Sequence, residues 1–214
     1  MMKHQPEILK SDEPIRLFES DILEFFTHIH PAVVVVIWLP VGLFFLMRAI
    51  RDPNLGVAAL VLGLLGGLAI WTLAEYVLHR FVFHFKPRTA WQERLSFLFH
   101  GVHHAQPRSK SRLVMPPAVS VPLGVLFYGL FWAAVGEGFG APSWIAPLFA
   151  GFSVGYLAYD MTHYATHHAR IKGGYFLMVR RHHMRHHAQT PDQRFGVSSP
   201  LWDYIFGTEP NRAR

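Results

Sequence analysis

Histidine is the residue type whose abundance and spacing indicate chemistry in this sequence. The chain has 214 residues, of which 15 are His and none is Cys. Because Cys is absent, disulfides, thiolate metal sites, iron–sulfur clusters and thiol nucleophiles are excluded. The imidazoles are candidate metal ligands. Ten of the His lie in four spaced groups, which are His79 and His84; His100, His103 and His104; His163 and His167; and His183, His186 and His187.

Two of these groups have the pattern H-x2-HH. Residues three and four positions apart share one face of a helix, so His100, His103 and His104 are expected to converge on one point. The second triplet, which begins at His183, is expected to do the same. Clustered imidazoles without a metal would repel one another when protonated and would leave buried nitrogens unsatisfied. The two triplets therefore favour metal binding.

The other two groups are pairs. His163 and His167 are four residues apart and share a helix face. His79 and His84 are five residues apart and diverge by about 140° on an ideal helix. They are expected to contact different metals, unless a helix ends between them. Because one metal ion takes about six ligands at most, ten His ligands indicate two metal ions.

Two carboxylates near the pairs are candidates for orienting imidazole N–H groups. Glu75 is one turn before His79, and Asp160 is three residues before His163. For each carboxylate, a helix-end position or a pairing with Arg is the alternative. The five remaining His are expected to be surface or hydrogen-bonded residues rather than ligands: His4, His28, His30, His168 and His182.

The elements that must position these side chains are expected to be membrane helices. Hydrophobic residues make up 51% of the chain and charged residues 16%, against roughly 25% charged in an average soluble domain. Short connections within each pair of apolar runs predict two helical hairpins, and Gly63 and Gly67 have the spacing for close helix packing. A helix crosses the hydrocarbon core with about 20 residues, and four runs approach this length: about 31–47, 54–78, 116–135 and 143–161.

The distribution of positive charge predicts the orientation of the hairpins. The two hairpin tips are residues 48–53 and 136–142. Of the 20 Lys and Arg residues, 18 lie outside these tips, which predicts cytoplasmic termini and a cytoplasmic middle segment. The expected fold class is an all-α integral membrane protein with a His-rich cytoplasmic cap, residues 79–115 and 162–214. The net charge of +6 suits a surface beside anionic headgroups, and the apolar runs argue against nucleic acid as a partner.

Ligand type alone leaves the metal open, because imidazole binds Zn, Cu, Fe and Ni. The ligands lie where the predicted helices leave the bilayer, so the site is expected to face the interface and to receive a lipid chain. The sequence has no HExxH motif or carboxylate-rich set of the kind that metal hydrolases use. Oxidation of an unactivated hydrocarbon with O2 at two irons, away from water, fits this location better.

Six segments of the sequence resemble the fatty acid hydroxylase superfamily, and most of all its fatty acid 2-hydroxylase (sphingolipid alpha-hydroxylase) branch. They are EYVLHRFVFHF, FLFHGVHHAQP, SRLVMPP, GYLAYDMTHYATHH, HHMRHH and FGVSSPLWDYIFGT, between Trp71 and Thr208. The resemblance implies a cytoplasmic segment 1–30, a hydroxylase domain 31–214 with four transmembrane helices, and the ten grouped His as ligands of a dimetal centre. The implied activity is O2-dependent hydroxylation at C2 of a long acyl chain, in a free fatty acid or a ceramide-type lipid.

The resemblance also implies cofactors and residues around the substrate. Two Fe ions and O2 are expected, and Zn is expected to compete in purified protein because it binds such ligands more tightly than Fe(II). No catalytic residue beyond the metal ligands is expected. Four aromatic residues are candidate walls of an acyl pocket, with plain helix packing as the alternative: Trp71, Phe81, Phe83 and Tyr164.

One departure from the branch concerns the supply of electrons. Eukaryotic members often carry an N-terminal cytochrome b5-type haem domain, whereas the 30 residues before the first run are too few for one and contain no HPGG-like motif. The expected electron donor is a separate protein, such as a cytochrome b5-like protein, a ferredoxin or a reductase. The same departure favours a bacterial inner membrane over the endoplasmic reticulum.

Three other functions stay open. Sterol or carotenoid hydroxylases and desaturases of the same superfamily share His-rich motifs, although the separate H-x4-H and the YDMTHY segment favour the acyl 2-hydroxylase. A membrane metal-binding or transport protein should place polar groups at the bilayer midplane, whereas the His here lie at one edge of the runs. A zinc-dependent lipid hydrolase should need no O2.

Overall fold

The structure, a computed structural model, describes residues 14–210, and its regular secondary structure over this range is entirely helical. Three π-helical segments directly adjoin α-helices: Leu78–Phe83, Phe97–Gly101 and Trp132–Gly138. The expected all-α class is confirmed for these residues. The α-helices are α1 (Asp21–Phe25), α2 (Pro31–Ile50), α3 (Val57–Val77), α4 (Ala90–Ser96), α5 (Val102–Ala105), α6 (Pro117–Phe131), α7 (Ile145–His168), α8 (Gly174–Ala188) and α9 (Leu201–Ile205).

The chain forms two compact units. The first, which we name the apolar unit, comprises His30–Ala74 and Met115–Met161, and it contains α2, α6 and most of α3 and α7. The second, the histidine unit, comprises the described residues 14–29, 75–114 and 162–210. All ten grouped His belong to the histidine unit. The grouped His and the apolar helices therefore belong mainly to different units, whose segments alternate along the chain.

Among the described residues, three helices are long and apolar enough to cross a membrane: Pro31–Ile50, Val57–Phe83 and Pro117–Gly138. They correspond to the first three predicted runs. The fourth run forms α7, which has 24 residues but is not one of these spans, so the structure supports three of the four predicted spans. Polar residues such as Ser153 and Asp160 interrupt the apolar sequence of α7, and both side chains are buried. A helix that other protein surrounds does not need an apolar residue at every position.

Two helices of the apolar unit, α3 and α7, approach each other so closely that only glycine fits at their contact. A Cβ atom added at Gly67 would lie 1.9 Å from the Leu148 carbonyl oxygen. A Cβ atom added at Gly151 would lie 2.0 Å from the Leu64 carbonyl oxygen. The close packing that the small-residue spacing predicts is thus present, and both helices contribute glycine to it.

Aromatic side chains fill the apolar unit beside this contact. Trp71 is buried and packs edge-on against Phe152 and Tyr156, with ring centroids 5.0 Å and 5.1 Å away. The Trp38 indole N–H donates to the Ser120 hydroxyl, 3.2 Å away, which satisfies its one polar atom. An apolar groove of about 280 Å³ lies among α2, α3 and α7.

Candidate metal centre

The ten grouped His form two clusters of five. Within each cluster the candidate ligand atoms, one ring nitrogen per residue, all lie within 4.8 Å of one another. Of the lone His that the structure describes, none joins either cluster. Cluster 1 consists of His79, His84, His100, His104 and His186. Cluster 2 consists of His103, His163, His167, His183 and His187.

The spacing of the ring nitrogens in cluster 1 fits a metal ion. The Nε2 atoms of His79 and His100 are 3.0 Å apart, and those of His84 and His186 are 3.1 Å apart. A metal–imidazole bond is about 2.0–2.1 Å long, so two ligands at a right angle place their nitrogens about 3 Å apart. The Nε2 atom of His104 is buried and has no hydrogen-bond partner among the described residues, as expected for an atom that binds a metal.

Cluster 2 shows the same spacing. The Nε2 atom of His103 is 3.0 Å from that of His163 and 3.0 Å from that of His187. The Nε2 atom of His183 is 2.9 Å from that of His167 and 3.1 Å from that of His187. Both clusters therefore fit a metal ion held by imidazole nitrogens.

Both H-x2-HH triplets are divided between the clusters, so the expectation that each converges on one point is wrong. His100 and His104 belong to cluster 1, whereas His103 belongs to cluster 2. On an α-helix, the side chain at position i+4 points about 40° away from that at position i. The side chain at position i+3 points about 60° away in the opposite sense. In the second triplet the i,i+4 pair lies in cluster 2, and His186 lies in cluster 1.

Of the two possibilities for His79 and His84, contact with different metals is wrong, because both belong to cluster 1. The other possibility, a helix end between them, is met, because the helical segment Leu78–Phe83 ends just before His84. The 140° divergence assumed an ideal α-helix, whereas Leu78–Phe83 is π-helical. The His84 N–H donates to the His79 carbonyl oxygen at 3.0 Å, an i to i+5 bond. The wider π-turn brings residues five apart onto one face.

The two clusters are built alike and adjoin each other. Each cluster has three components: one His pair near the end of a long helix, the two outer His of one triplet (its i,i+4 pair), and the middle His of the other triplet. The His104 and His187 rings, from different clusters, stack with centroids 4.2 Å apart. Because both triplets supply both clusters, the arrangement is consistent with one dimetal site rather than with two separate sites.

Burial keeps the cluster imidazoles neutral. The pKa values of His103 and His183 lie well below the usual range, chiefly because burial disfavours the charged form and also because other imidazoles are adjacent. Burial lowers the pKa of His186 to about 4, although the hydrogen bond to the Gln193 carbonyl acts in the opposite direction. Neutral imidazole is the form that binds metals, so the sites are ready to bind at neutral pH.

Backbone carbonyls orient two imidazoles of cluster 1, and no residue type in the sequence indicates them. The Nδ1 atom of His79 is 2.5 Å from the Phe195 carbonyl oxygen, and the Nδ1 atom of His186 is 2.7 Å from the Gln193 carbonyl oxygen. These bonds leave Nε2 of each ring for the metal. We name residues 193–198 the carbonyl loop. The segment FGVSSPLWDYIFGT includes most of this loop, but its residue types alone do not reveal the role.

The two carboxylates predicted to orient imidazoles have other partners. Glu75 accepts hydrogen bonds from the N–H groups of Val197 and Ser198, both at 2.7 Å, and from the Ser198 hydroxyl. It therefore holds the carbonyl loop rather than an imidazole. Asp160 accepts hydrogen bonds from the Met115 N–H and the Tyr156 hydroxyl, both 3.2 Å away.

The four candidate substrate residues occupy different surroundings. Trp71 is buried and lines a small cavity of the apolar unit, together with Trp38 and Tyr156. Phe83 stacks on the His100 ring, with centroids 5.5 Å apart. The other two are Phe81, whose side chain is largely exposed, and Tyr164, whose ring lies 4.8 Å from that of His168.

The lone His mostly have hydrogen-bonding roles. His182 is buried between Asp203 and Glu209, 3.0 Å and 3.2 Å away. The ring of His30 accepts the Ala32 N–H and so caps α2. His28 contacts Ser111 and Glu24, and His168 is half-buried. His4 lies outside the described residues.

These features define a class: all-helical proteins that combine candidate membrane spans with buried His clusters able to hold two metal ions. The family model for fatty acid hydroxylase matches residues 64–208. The chain belongs to the fatty acid hydroxylase family and is an enzyme of that family. The resemblance noted in the sequence is therefore confirmed.

Similar proteins cover nearly the whole chain. Dihydroceramide fatty acyl 2-hydroxylase FAH1 of Arabidopsis thaliana is 38% identical over 207 residues, 97% of this chain and 84% of that protein. Fatty acid 2-hydroxylase of Rattus norvegicus is 37% identical over 96% of this chain and 58% of its own length. The solved structure of full-length scs7p, with only its hydroxylase domain visible, has a TM-score of 0.81 and 36% identity over 91% of this chain and 72% of that chain.

Proposed function

We propose that this chain is an O2-dependent lipid hydroxylase that inserts a hydroxyl group at C2 of a long acyl chain. The observation that carries the proposal is the pair of adjoining five-imidazole clusters, whose nitrogen spacing fits bound metal. The acyl 2-hydroxylase relatives support both the reaction and the C2 position of the hydroxyl group on the acyl chain. The family alone would also allow another lipid as substrate.

The ten clustered His are the proposed ligands of two Fe ions, five for each ion. Bound iron would supply O2 activation: with two electrons and two protons, one oxygen atom enters the C2–H bond and the other leaves as water. Zn competes with Fe(II) for nitrogen ligands, so the metal found after purification need not be the active one.

The protein's own part is to hold the ligands and keep water away. Neutral, buried imidazoles bind the ions without adding negative charge. The Phe195 ring is buried and lies 5.6 Å from the His84 ring and 5.9 Å from the His186 ring. Together with Phe83, which stacks on His100, it gives cluster 1 an apolar wall. Such walls protect a reactive oxidant from water.

The proposed topology has four transmembrane helices, α2, α3, α6 and α7, in two hairpins with cytoplasmic termini and a cytoplasmic histidine unit. Its fourth helix, α7, has 24 residues, which span about 36 Å at about 1.5 Å per residue. Its glycine-mediated contact with α3 supports membrane insertion beside that span. The 18 Lys and Arg residues outside the hairpin tips support the orientation.

The proposed substrate is the acyl chain of a free fatty acid or a ceramide-type lipid, and its tail would lie between the helices. The apolar groove among α2, α3 and α7 and the small cavity that Trp71 lines support such a position. Electrons would come from a separate cytochrome b5-like protein, ferredoxin or reductase. A bacterial inner membrane is the proposed location.

The test is mass spectrometry of lipids from cells grown in ¹⁸O2, in a host that has no 2-hydroxylase of its own. We expect ¹⁸O-labelled hydroxyl at C2 of acyl chains only when the chain is produced. His103→Ala and His186→Ala should abolish the label, whereas His168→Ala, outside both clusters, should retain it. Label on a sterol or carotenoid would overturn the substrate, and no label in any lipid would overturn the hydroxylase.

A further inference from the structure

The carbonyl loop links cluster 1 to a buried carboxylate that touches no imidazole of either cluster. Asp203 is fully buried and accepts the N–H groups of Phe195 and Gly196, both at 2.8 Å. The Phe195 carbonyl oxygen is the partner of His79 Nδ1. A single residue of the loop therefore connects the Asp203 carboxylate to a cluster 1 imidazole.

Asp203 itself is held firmly. It accepts hydrogen bonds from the Thr208 hydroxyl at 2.7 Å and from His182 at 3.0 Å. Burial alone would raise the pKa of Asp203, but these bonds and the Gly196 N–H lower it. The carboxylate is therefore ionised, and an ionised acceptor makes stronger hydrogen bonds to backbone N–H groups than a neutral one.

The backbone conformation of the carbonyl loop is tightly constrained. A Cβ atom added at Gly196 would lie 2.0 Å from the Ser199 carbonyl oxygen and 2.9 Å from Asp203, so the backbone turns tightly against the carboxylate. Arg194, between the two carbonyls that receive the imidazoles, has φ of 59°, a strained region for a residue with a side chain. From the other side, Glu75 accepts the N–H groups of Val197 and Ser198.

We propose that Asp203 is a positioning residue for cluster 1: through the carbonyl loop, it fixes the ring orientation and tautomer of His79 and His186. Glu75 is the second anchor of the same loop. The proposal rests on the dimetal centre proposed above but not on its substrate. Removing partners that orient metal ligands typically lowers metal affinity about 10- to 100-fold. Asp203 should therefore affect one of the two metals and not the other.

The experiment measures metal per chain by mass spectrometry in protein purified from membranes and dialysed against limiting Zn²⁺. The native chain should hold about two ions, one for each cluster. Asp203→Asn leaves only one acceptor oxygen for two loop N–H groups and should hold about one ion. The matched control is Glu24→Gln, because Glu24 also accepts two backbone N–H groups, those of Leu17 and Phe18, and should keep about two ions.

Double variants identify the site that is lost. His183→Ala removes a cluster 2 ligand, so adding Asp203→Asn to it should leave almost no bound metal. His84→Ala removes a cluster 1 ligand, so adding Asp203→Asn to it should cause no further loss. If Asp203→Asn retains the cluster 2 ion, the variant is folded. A general loss of stability would instead release both ions.

Two results would overturn the positioning role. The first is a native metal content in Asp203→Asn with unchanged Zn²⁺ affinity. The second is loss of both ions together, which indicates general collapse. Failure of the proposed function looks different, because a chain that binds two ions, loses one in Asp203→Asn and hydroxylates no lipid keeps this inference and refutes only the acyl hydroxylase.

Discussion

At the scale of single residues, two imidazoles of cluster 1, those of His79 and His186, use their two nitrogens for different tasks, and this division determines which nitrogen is left for a metal. In cluster 1, Nε2 of His79 and His186 points to the other ring nitrogens, while Nδ1 donates to a backbone carbonyl. Burial holds these rings neutral, which suits metal binding but leaves the metal-free protein with buried imidazoles. The metal-free protein should therefore be sensitive to acid.

We predict that the metal-free protein loses thermal stability as the pH falls from 7 to 5. The pKa of His186 is about 4 in the folded chain, against about 6.5 for an unperturbed His. Between these values the unfolded chain binds more protons than the folded chain, so acid favours unfolding. His103 and His183 shift in the same direction.

The measurement is the Tm of chelator-treated protein in detergent at several pH values. His183→Ala, which has one buried imidazole fewer, should show a shallower dependence on pH. A Tm that stays constant or rises on acidification would contradict the prediction. Reloading with Zn²⁺ should raise the Tm, because a ligand that binds only the folded state stabilises it.

At the same scale, the sequence predicts the ligands better than their supports. All ten grouped His come together because pairs at helical spacing are a local property of the sequence. The partners of Nδ1 are carbonyls of Gln193 and Phe195, and a carbonyl is common to every residue, so no residue type marks it. Glu75 lies near the site as expected, but its partner is the loop because residues 122 and 123 positions away in sequence fold against it.

At the scale of elements, helix phase decides which His joins which cluster. The sequence could not predict this division, because it depends on where the helix is α and where it is π. The π-helical segment Leu78–Phe83 has one residue more in its turn than an α-helix has, because its hydrogen bond joins residues five apart instead of four. The i+5 spacing of His79 and His84 is therefore specific to the π-turn.

We predict that deletion of Val82, a partly exposed residue of this segment, leaves cluster 1 able to bind metal. The deletion changes H-x4-H to H-x3-H and allows an ordinary α-turn, on which His residues four apart share a face. Insertion of one Ala at the same place should instead abolish binding at cluster 1. Metal content measured by mass spectrometry distinguishes these outcomes, and equal loss in both variants would refute this prediction.

The contact between α3 and α7 gives a second prediction at this scale. Gly67→Ala places a Cβ atom 1.9 Å from the Leu148 carbonyl oxygen, and such overpacking typically costs about 1–3 kcal/mol. Gly129→Ala is the matched control, because a Cβ atom at Gly129 meets nothing within 4 Å and Ala favours helix by about 0.5–1 kcal/mol. Thermal denaturation in detergent should therefore rank Gly129→Ala at or above the native chain and Gly67→Ala below it.

At the scale of the whole molecule, the sequence predicts the general architecture better than the number of spans. Length and apolarity identify Pro31–Ile50, Val57–Phe83 and Pro117–Gly138 because each is apolar along its length. α7 combines apolar residues with glycines and buried polar groups, and hydropathy alone underestimates a helix whose polar side chains face protein. If α7 crosses the membrane, the second hairpin tip and the His-bearing residues at the other end of α7 lie on opposite sides of it. If α7 does not cross, they lie on the same side.

The absence of Cys makes this question directly measurable with single-Cys variants and a membrane-impermeant maleimide. Four exposed positions serve as probes: Asn54, Arg88, Glu137 and Arg170. With four spans in two hairpins, Asn54→Cys and Glu137→Cys should react in intact cells, whereas Arg88→Cys and Arg170→Cys should react only after permeabilisation. The native chain, which has no thiol, gives the background.

The Glu137 and Arg170 probes bracket α7 and therefore decide its role. Opposite reactivity of these two positions requires one crossing between them, and α7 is the helix that connects them. Equal reactivity would mean that α7 enters and leaves on one side, and the four-span topology would fail. Reaction of Arg88→Cys in intact cells, with Asn54→Cys protected, would instead keep the hairpins and invert the orientation that the 18 Lys and Arg residues outside the tips predict.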